Sequence, residues 1–83
     1  MKFKAEIDVM PLDNLLDPQG KAVSNSMNSI GLSEITGVRV GRHIRAFIEA
    51  DSEEIAKEKV TIACKKLLAN QIMESFSFTL EKI

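Results

Sequence analysis

The sequence predicts an α+β fold of two layers, a sandwich in which a small sheet of three strands is covered on one face by two helices. Apolar residues alternate with a period of two in three segments and recur at helical spacing in two others. Prolines, glycines and helix-capping residues separate these segments, so the predicted element order is β-α-β-α-β. We expect the 83 residues to form a single domain, residues 1–83, with a small core.

The first strand precedes Pro11 and is expected to have one apolar and one polar face. These faces are formed by Phe3, Ala5, Ile7 and Val9, and by Lys4, Glu6 and Asp8. The first helix is predicted from about Pro18 to Ile30, with Asp17 as its N-cap. Gly20 follows that cap by three residues. Because glycine costs a helix roughly 1 kcal/mol relative to alanine, its presence indicates the close approach of another strand, a subunit or a ligand.

The second strand is predicted from about Thr36 to Ala50, which is unusually long. A straight strand of that length would reach ~50 Å at ~3.3 Å per residue, whereas a compact domain of this size is only ~30 Å across. The strand is therefore expected to bend, with Gly37 and Gly41 as candidate bends or bulges, or to project beyond the molecule. A projecting strand needs a partner edge, which predicts an oligomer formed by sheet association.

The second helix is predicted from Asp51 or Ser52 to about Asn70. Its apolar stripe, expected to dock on the sheet, contains Ala56, Val60, Ala63 and Leu67, with Cys64 beside it. Ile55 and Ile62 lie about 100° around the helix, where they either widen the core face or form a second contact. The last strand is expected to direct Phe76, Phe78 and Leu80 inward.

Charge and hydropathy exclude several classes of partner. The chain has 11 Lys and Arg against 12 Asp and Glu, a formal charge of −1, which argues against nucleic acid or an anionic membrane as its main target. No apolar run approaches the ~20 residues that span a bilayer. A single cysteine fits a reducing compartment, so a soluble, cytoplasmic protein is expected.

The sequence offers no convincing catalytic or metal-binding constellation. His43 is expected to be a surface residue, and Cys64 a small core residue rather than a nucleophile. Neither residue belongs to a pair with metal-ligand spacing. A phosphate site at the first helix is disfavoured by the nearby Asp13 and Asp17, and the basic residues of the second strand lack the aromatic neighbours of an RNA-binding sheet.

Four segments together resemble the PurS family, the small subunits of phosphoribosylformylglycinamidine synthase. They are residues 16–23 (LDPQGKAV), 37–42 (GVRVGR), 48–51 (IEAD) and 67–70 (LLAN). The resemblance covers almost the whole chain and implies a PurS-like, ferredoxin-like fold. The chain departs from the family pattern at Arg42, where lysine is common, and at Gln71, where proline often follows the asparagine.

The resemblance implies a non-catalytic subunit of a glutamine-dependent, ATP-consuming C–N ligase of purine biosynthesis. Its expected partners are further copies of itself, in a dimer or a higher oligomer, and a large synthetase subunit and a glutaminase subunit. Ammonia is expected to pass from the glutaminase subunit to the synthetase subunit. ATP and Mg are expected to belong to the complex, with no cofactor on this chain. The residues expected to contact partners or to determine shape are Pro18, Gln19, Gly20, Arg39, Gly41 and Arg42; alternatively, Pro18, Gly20 and Gly41 serve only local geometry.

A second hypothesis is a small-molecule-sensing regulatory α+β module. It would be favoured if Gly41 broke the second strand into a hairpin, because the sheet would then have the four strands of a ferredoxin-like sensor. A stand-alone enzyme is the least favoured interpretation, since no nucleophile, base or metal cluster stands out.

Overall fold

Three antiparallel strands form the sheet of the computed structural model, which describes residues 1–83. The strands are β1 (Lys2–Pro11), β2 (Arg42–Glu49) and β3 (Glu74–Lys82), in the spatial order β2-β1-β3. The helices are α1 (Pro18–Ser29) and α2 (Glu53–Ala63), and a π-helical turn at Cys64–Leu68 continues α2. The predicted α+β class and the order β-α-β-α-β are confirmed. Neither helix is long and apolar enough to cross a membrane.

The core lies between the central strand and α2. As the alternation predicts, Phe3, Ala5, Ile7 and Val9 are at most 2% exposed. They pack with Ala56, Val60 and Cys64 of the helical layer and with the inward residues of the two edge strands, among them Ile44 and Phe78, which flank Ile7 in the sheet register. Ser52 is the N-cap of α2, and its hydroxyl accepts a hydrogen bond from the Ile55 N–H at 3.2 Å.

The π-helical turn changes the apolar stripe of the second helix. The Ala69 N–H donates to the Cys64 carbonyl at 3.0 Å, and the wider turn rotates the residues that follow it. Leu67, expected in the stripe, is therefore 82% exposed, while Leu68 packs against the core instead. Ile55 and Ile62, at 38% and 46% exposure, lie outside the core clusters, so they do not widen the core.

The first helix does not cover the sheet, and this part of the prediction is wrong. None of its side chains belongs to a core cluster, and Gly20 is its only buried residue. The physical reason is topological: β1 and β2 are antiparallel neighbours with Val9 opposite Arg42, so the chain returns to the point where it left the sheet. A right-handed crossover over the sheet is therefore not required. Residues 12–41, including α1, form an arm.

The molecule is elongated as a result of this arm. Its extents are 51 × 27 × 14 Å and its radius of gyration is 16.3 Å, against the ~12 Å of a compact chain of this length. The elongation comes from an arm that leaves the core, whereas the sequence suggested a long strand as its source.

The second strand is shorter than predicted: it spans Arg42–Glu49 rather than Thr36–Ala50. Gly37 has a φ of +67°, and the N–H groups of Val38 and Val40 donate to side chains of the arm instead of joining a strand ladder. The length of the second strand therefore does not support the prediction of an oligomer. The sheet also has three strands rather than the four that would favour a small-molecule sensor.

Candidate partner-binding site

Two of the sequence motifs meet at the base of the arm, where the start of α1 contacts residues 38–40. A Cβ atom on Gly20 would lie 2.2 Å from the Val38 carbonyl oxygen and 2.6 Å from Asp17 Oδ2. Real Cβ atoms do not approach this closely, so only glycine fits here. The predicted close backbone approach at this glycine is confirmed, and the approaching segment belongs to the chain itself.

Asp17 joins these two segments through one carboxylate. Its Oδ1 accepts from the Gly20 N–H at 3.1 Å, as the N-cap prediction requires, and its Oδ2 accepts from the Val40 N–H at 2.8 Å. These hydrogen bonds, that of Val40 first, lower the pKa of Asp17 below its ordinary value. The sequence indicated the cap but not the second bond, because no local pattern shows that Val40 returns to this place.

Arg39 shapes the loop that precedes α1. Its Nη1 donates to the Leu15 carbonyl at 3.0 Å and its Nη2 to the Leu12 carbonyl at 2.6 Å. The planar guanidinium holds both carbonyls at once, a geometry that a lysine ammonium does not reproduce. Both of these donor groups are thus engaged within the chain.

Gly41 lies tightly against the end of β1. A Cβ atom at this position would lie 2.3 Å from both the Val9 carbonyl oxygen and Met10 Sδ. The glycine therefore lets the returning chain enter the sheet beside its central strand.

Arg42 ties the two edge strands together across the end of the central strand. Its guanidinium forms a bidentate ion pair with Glu74, at 2.6 and 3.0 Å, and donates to the Leu68 carbonyl at 2.5 Å. Glu74 also accepts from the Asn70 N–H at 2.8 Å. The pair raises the pKa of Arg42 and lowers that of Glu74, chiefly through the hydrogen bonds between them. Sequence analysis missed Glu74, because a single sequence does not show the register that places Glu74 opposite Pro11 and Arg42 opposite Val9, within reach of each other across the end of β1.

These segments enclose a groove of about 360 Å³. Three of the six predicted site residues line it, namely Gln19, Gly41 and Arg42, whereas Pro18, Gly20 and Arg39 do not. Leu16 and Met73 also line the groove and are 75% and 52% exposed. The groove thus combines exposed apolar side chains with amides and a satisfied ion pair.

The two residues considered for catalysis lie outside this groove. His43 is on the exposed face of the sheet, where its ring contacts Asp8 and Glu6. Cys64 is fully buried, and burial raises the pKa of its thiol, so it packs as a core residue.

The fold and the groove define a small protein-contact module. The family model of PurS, described as phosphoribosylformylglycinamidine (FGAM) synthase, matches residues 4–82, and the chain belongs to this family. The chain is 31% identical to the PurS subunit of Methanocaldococcus jannaschii, over 98% of both chains, and 32% identical to that of Bacillus subtilis, over 98% of this chain and 95% of the relative.

Solved structures give the same result. The chain is similar to one in the structure of PurLQS from Thermotoga maritima, with a TM-score of 0.89 and 30% identity over 98% of this chain and 99% of that one. The structure of Bacillus subtilis PurS has a TM-score of 0.86 and 32% identity over 96% of this chain and 99% of that one. The PurS-like fold predicted from the sequence is confirmed.

Proposed function

We propose that this chain is the non-catalytic PurS subunit of a phosphoribosylformylglycinamidine synthase and that it joins a synthetase subunit to a glutaminase subunit. The main support for this proposal is the structural similarity, over 98% of the present chain, to a chain of the PurLQS structure from Thermotoga maritima. In this role the subunit supports the transfer of ammonia from glutamine to formylglycinamide ribonucleotide.

The chemistry of the reaction belongs to the other subunits under this proposal. ATP and Mg are used by the complex, and this chain binds no cofactor. Residues 1–83 act as one domain in the cytoplasm, as a homodimer within the complex. The outer edges of β2 and β3 are unpaired in the single chain, which supports self-association through a sheet edge.

The six candidate site residues divide into two roles. Gln19 and Arg42 line the groove and contact the partner, while Gly20, Arg39 and Gly41 set the shape of the arm around it. Pro18 is exposed at the first position of α1, where its fixed φ starts the helix. The hydrogen bonds that Arg39 donates to the loop carbonyls support its role in shaping the arm.

Assembly with the synthetase and glutaminase subunits of the same organism tests the proposal. Size-exclusion chromatography with light scattering is expected to show one species that contains all three chains. Gln19→Ala should weaken this assembly by about fivefold to thirtyfold, the effect of about 1–2 kcal/mol that is expected when a side chain that carries binding energy is truncated.

Asn28→Ala is the matched control, because Asn28 is an exposed amide of the same helix that does not line the groove. It should leave assembly unchanged. Failure of the unmodified chain to join the other subunits would contradict the function, whereas equal assembly of both variants would contradict only the role of the groove.

A further inference from the structure

The face of the sheet opposite α2 carries a dense set of charges. On β1 these charges belong to Lys2, Lys4, Glu6 and Asp8, which alternate with the buried core residues. The register places the other charged residues of this face beside them: His43, Arg45 and Glu49 on β2, and Glu81 on β3. The residues of β3 that pair with Asp8 and Glu6 are Ser77 and Thr79, which carry no charge.

His43 stands between two carboxylates of the central strand. Its Nδ1 lies 2.6 Å from Asp8 Oδ1, and its Nε2 contacts Glu6 Oε2. The other oxygen of Glu6 accepts from Arg45 Nε at 2.5 Å. Every one of these contacts joins the edge strand β2 to the central strand β1.

Only one protonation state of the imidazole satisfies both contacts. Ionised carboxylates accept hydrogen bonds and do not donate them, while a neutral imidazole has a single N–H. A ring that carries a proton on each nitrogen donates to Asp8 and Glu6 together. With the ring protonated, this face of the sheet carries four positive and four negative side chains. Loss of the proton from His43 leaves one negative charge in excess.

We propose that Glu6, His43 and Asp8 form a proton-dependent clip that fastens β2 to β1 and is closed while both ring nitrogens of His43 are protonated. When the clip opens, one carboxylate loses its hydrogen bond. The positive charge of the ring is also lost, so it no longer offsets the repulsion between the carboxylates of Glu6 and Asp8. The clip is a property of the sheet itself and does not depend on the proposed function.

The direction of the pH dependence follows from the same contacts. The hydrogen bonds that the protonated ring donates, to Asp8 first and to Glu6 second, raise the pKa of His43 above its ordinary value of 6.5. A group whose pKa is raised by folding stabilises the fold fully below its unfolded pKa. That contribution is lost as the pH rises from 6.5 through the raised value of the folded protein.

The test is an NMR titration, which is unambiguous because His43 is the only histidine. Long-range ¹H–¹⁵N spectra of the unmodified protein should show both ring nitrogens protonated at pH 6 and a titration midpoint above 6.5. Asp8→Asn should lower that midpoint, because an amide does not stabilise the imidazolium as a carboxylate does. Asp13→Asn, the same substitution in the arm, should leave it unchanged.

A midpoint at or below 6.5 in the unmodified protein would overturn the proposal, as would a midpoint that Asp8→Asn and Asp13→Asn change equally. Urea unfolding supplies a second measurement. The urea concentration at which half of the unmodified protein is unfolded should decrease as the pH is raised from 6.5 to 8.5. In His43→Gln most of this pH dependence should be lost. An equal dependence in both proteins would also overturn the proposal.

Discussion

At the scale of single residues, the close packing at Gly20 sets the position of the first helix against the returning chain. Gly20 stands out because a helix start does not require it, and the structure confirms a close approach there. The partner, the Val38 carbonyl, is 18 positions further along the chain. No single-sequence pattern predicts such a contact, since it depends on how the arm returns to the sheet.

Gly20→Ala tests this close approach. The new methyl group would displace the Val38 carbonyl or the Asp17 carboxylate, and overpacking of this kind costs about 1–3 kcal/mol. Because the nearest atom is a backbone oxygen, we expect a cost in the upper part of that range, above the ~1 kcal/mol that alanine gains over glycine within a helix. Urea unfolding should therefore show a net loss of stability.

Ser26→Ala is the control for this substitution, because Ser26 is exposed in the same helix. Its free energy of unfolding should stay within about 0.5 kcal/mol of the unmodified value. If Gly20→Ala were instead more stable than the unmodified protein, the arm would have room at its base and the proposed packing would be wrong.

The candidate site residues show the same limit of sequence analysis. Gln19, Gly41 and Arg42 line one groove. Arg39, which was expected to contact a partner or to determine shape, donates to two carbonyls of its own chain. Glu74, the partner of Arg42, was not predicted. Long-range contacts of charged side chains decide which of them are available to a partner, and periodicity carries no information about those contacts.

At the scale of secondary structure elements, the strongest periodic signals are the ones that the structure confirms. Alternation identified the buried face of β1, and the capping residues identified the start of α2. The helical stripe failed at Leu67, because the π-helical turn rotates this residue to the surface. The prediction that α1 covers the sheet was wrong because β1 and β2 are antiparallel neighbours, so the chain between them returns without crossing the sheet.

Two adjacent leucines test the effect of the π-helical turn. Leu68 packs against the core and Leu67 is 82% exposed. Leu68→Ala should therefore lower the free energy of unfolding by about 1–3 kcal/mol, less than the loss for a fully buried leucine, whereas Leu67→Ala should change it by less than about 0.5 kcal/mol. Urea unfolding of the two variants measures both values.

Each leucine serves as the control for the other, because the substitution and the position along the helix are matched. A larger loss at Leu67 would mean that the α-helical stripe continues to the end of the helix. The π-helical turn would then not exist in solution.

At the scale of the whole molecule, the fold separates a packed sheet layer from an arm that stands away from it. The length of 51 Å comes from an antiparallel return of the chain, which the sequence pattern does not distinguish from a crossover over the sheet. An arm that buries little of its own surface suits a subunit whose role is to contact other chains. The groove at the base of this arm is where we expect one of those contacts.

In the proposed complex, this chain allows the synthetase subunit to use the ammonia that the glutaminase subunit releases from glutamine. The most direct measurement compares product formation by the synthetase and glutaminase subunits with and without this chain, with glutamine or free ammonia as the nitrogen source. We predict that the chain restores the glutamine-dependent reaction and changes the ammonia-dependent reaction little. If neither reaction responds to the chain, the bridging role is wrong.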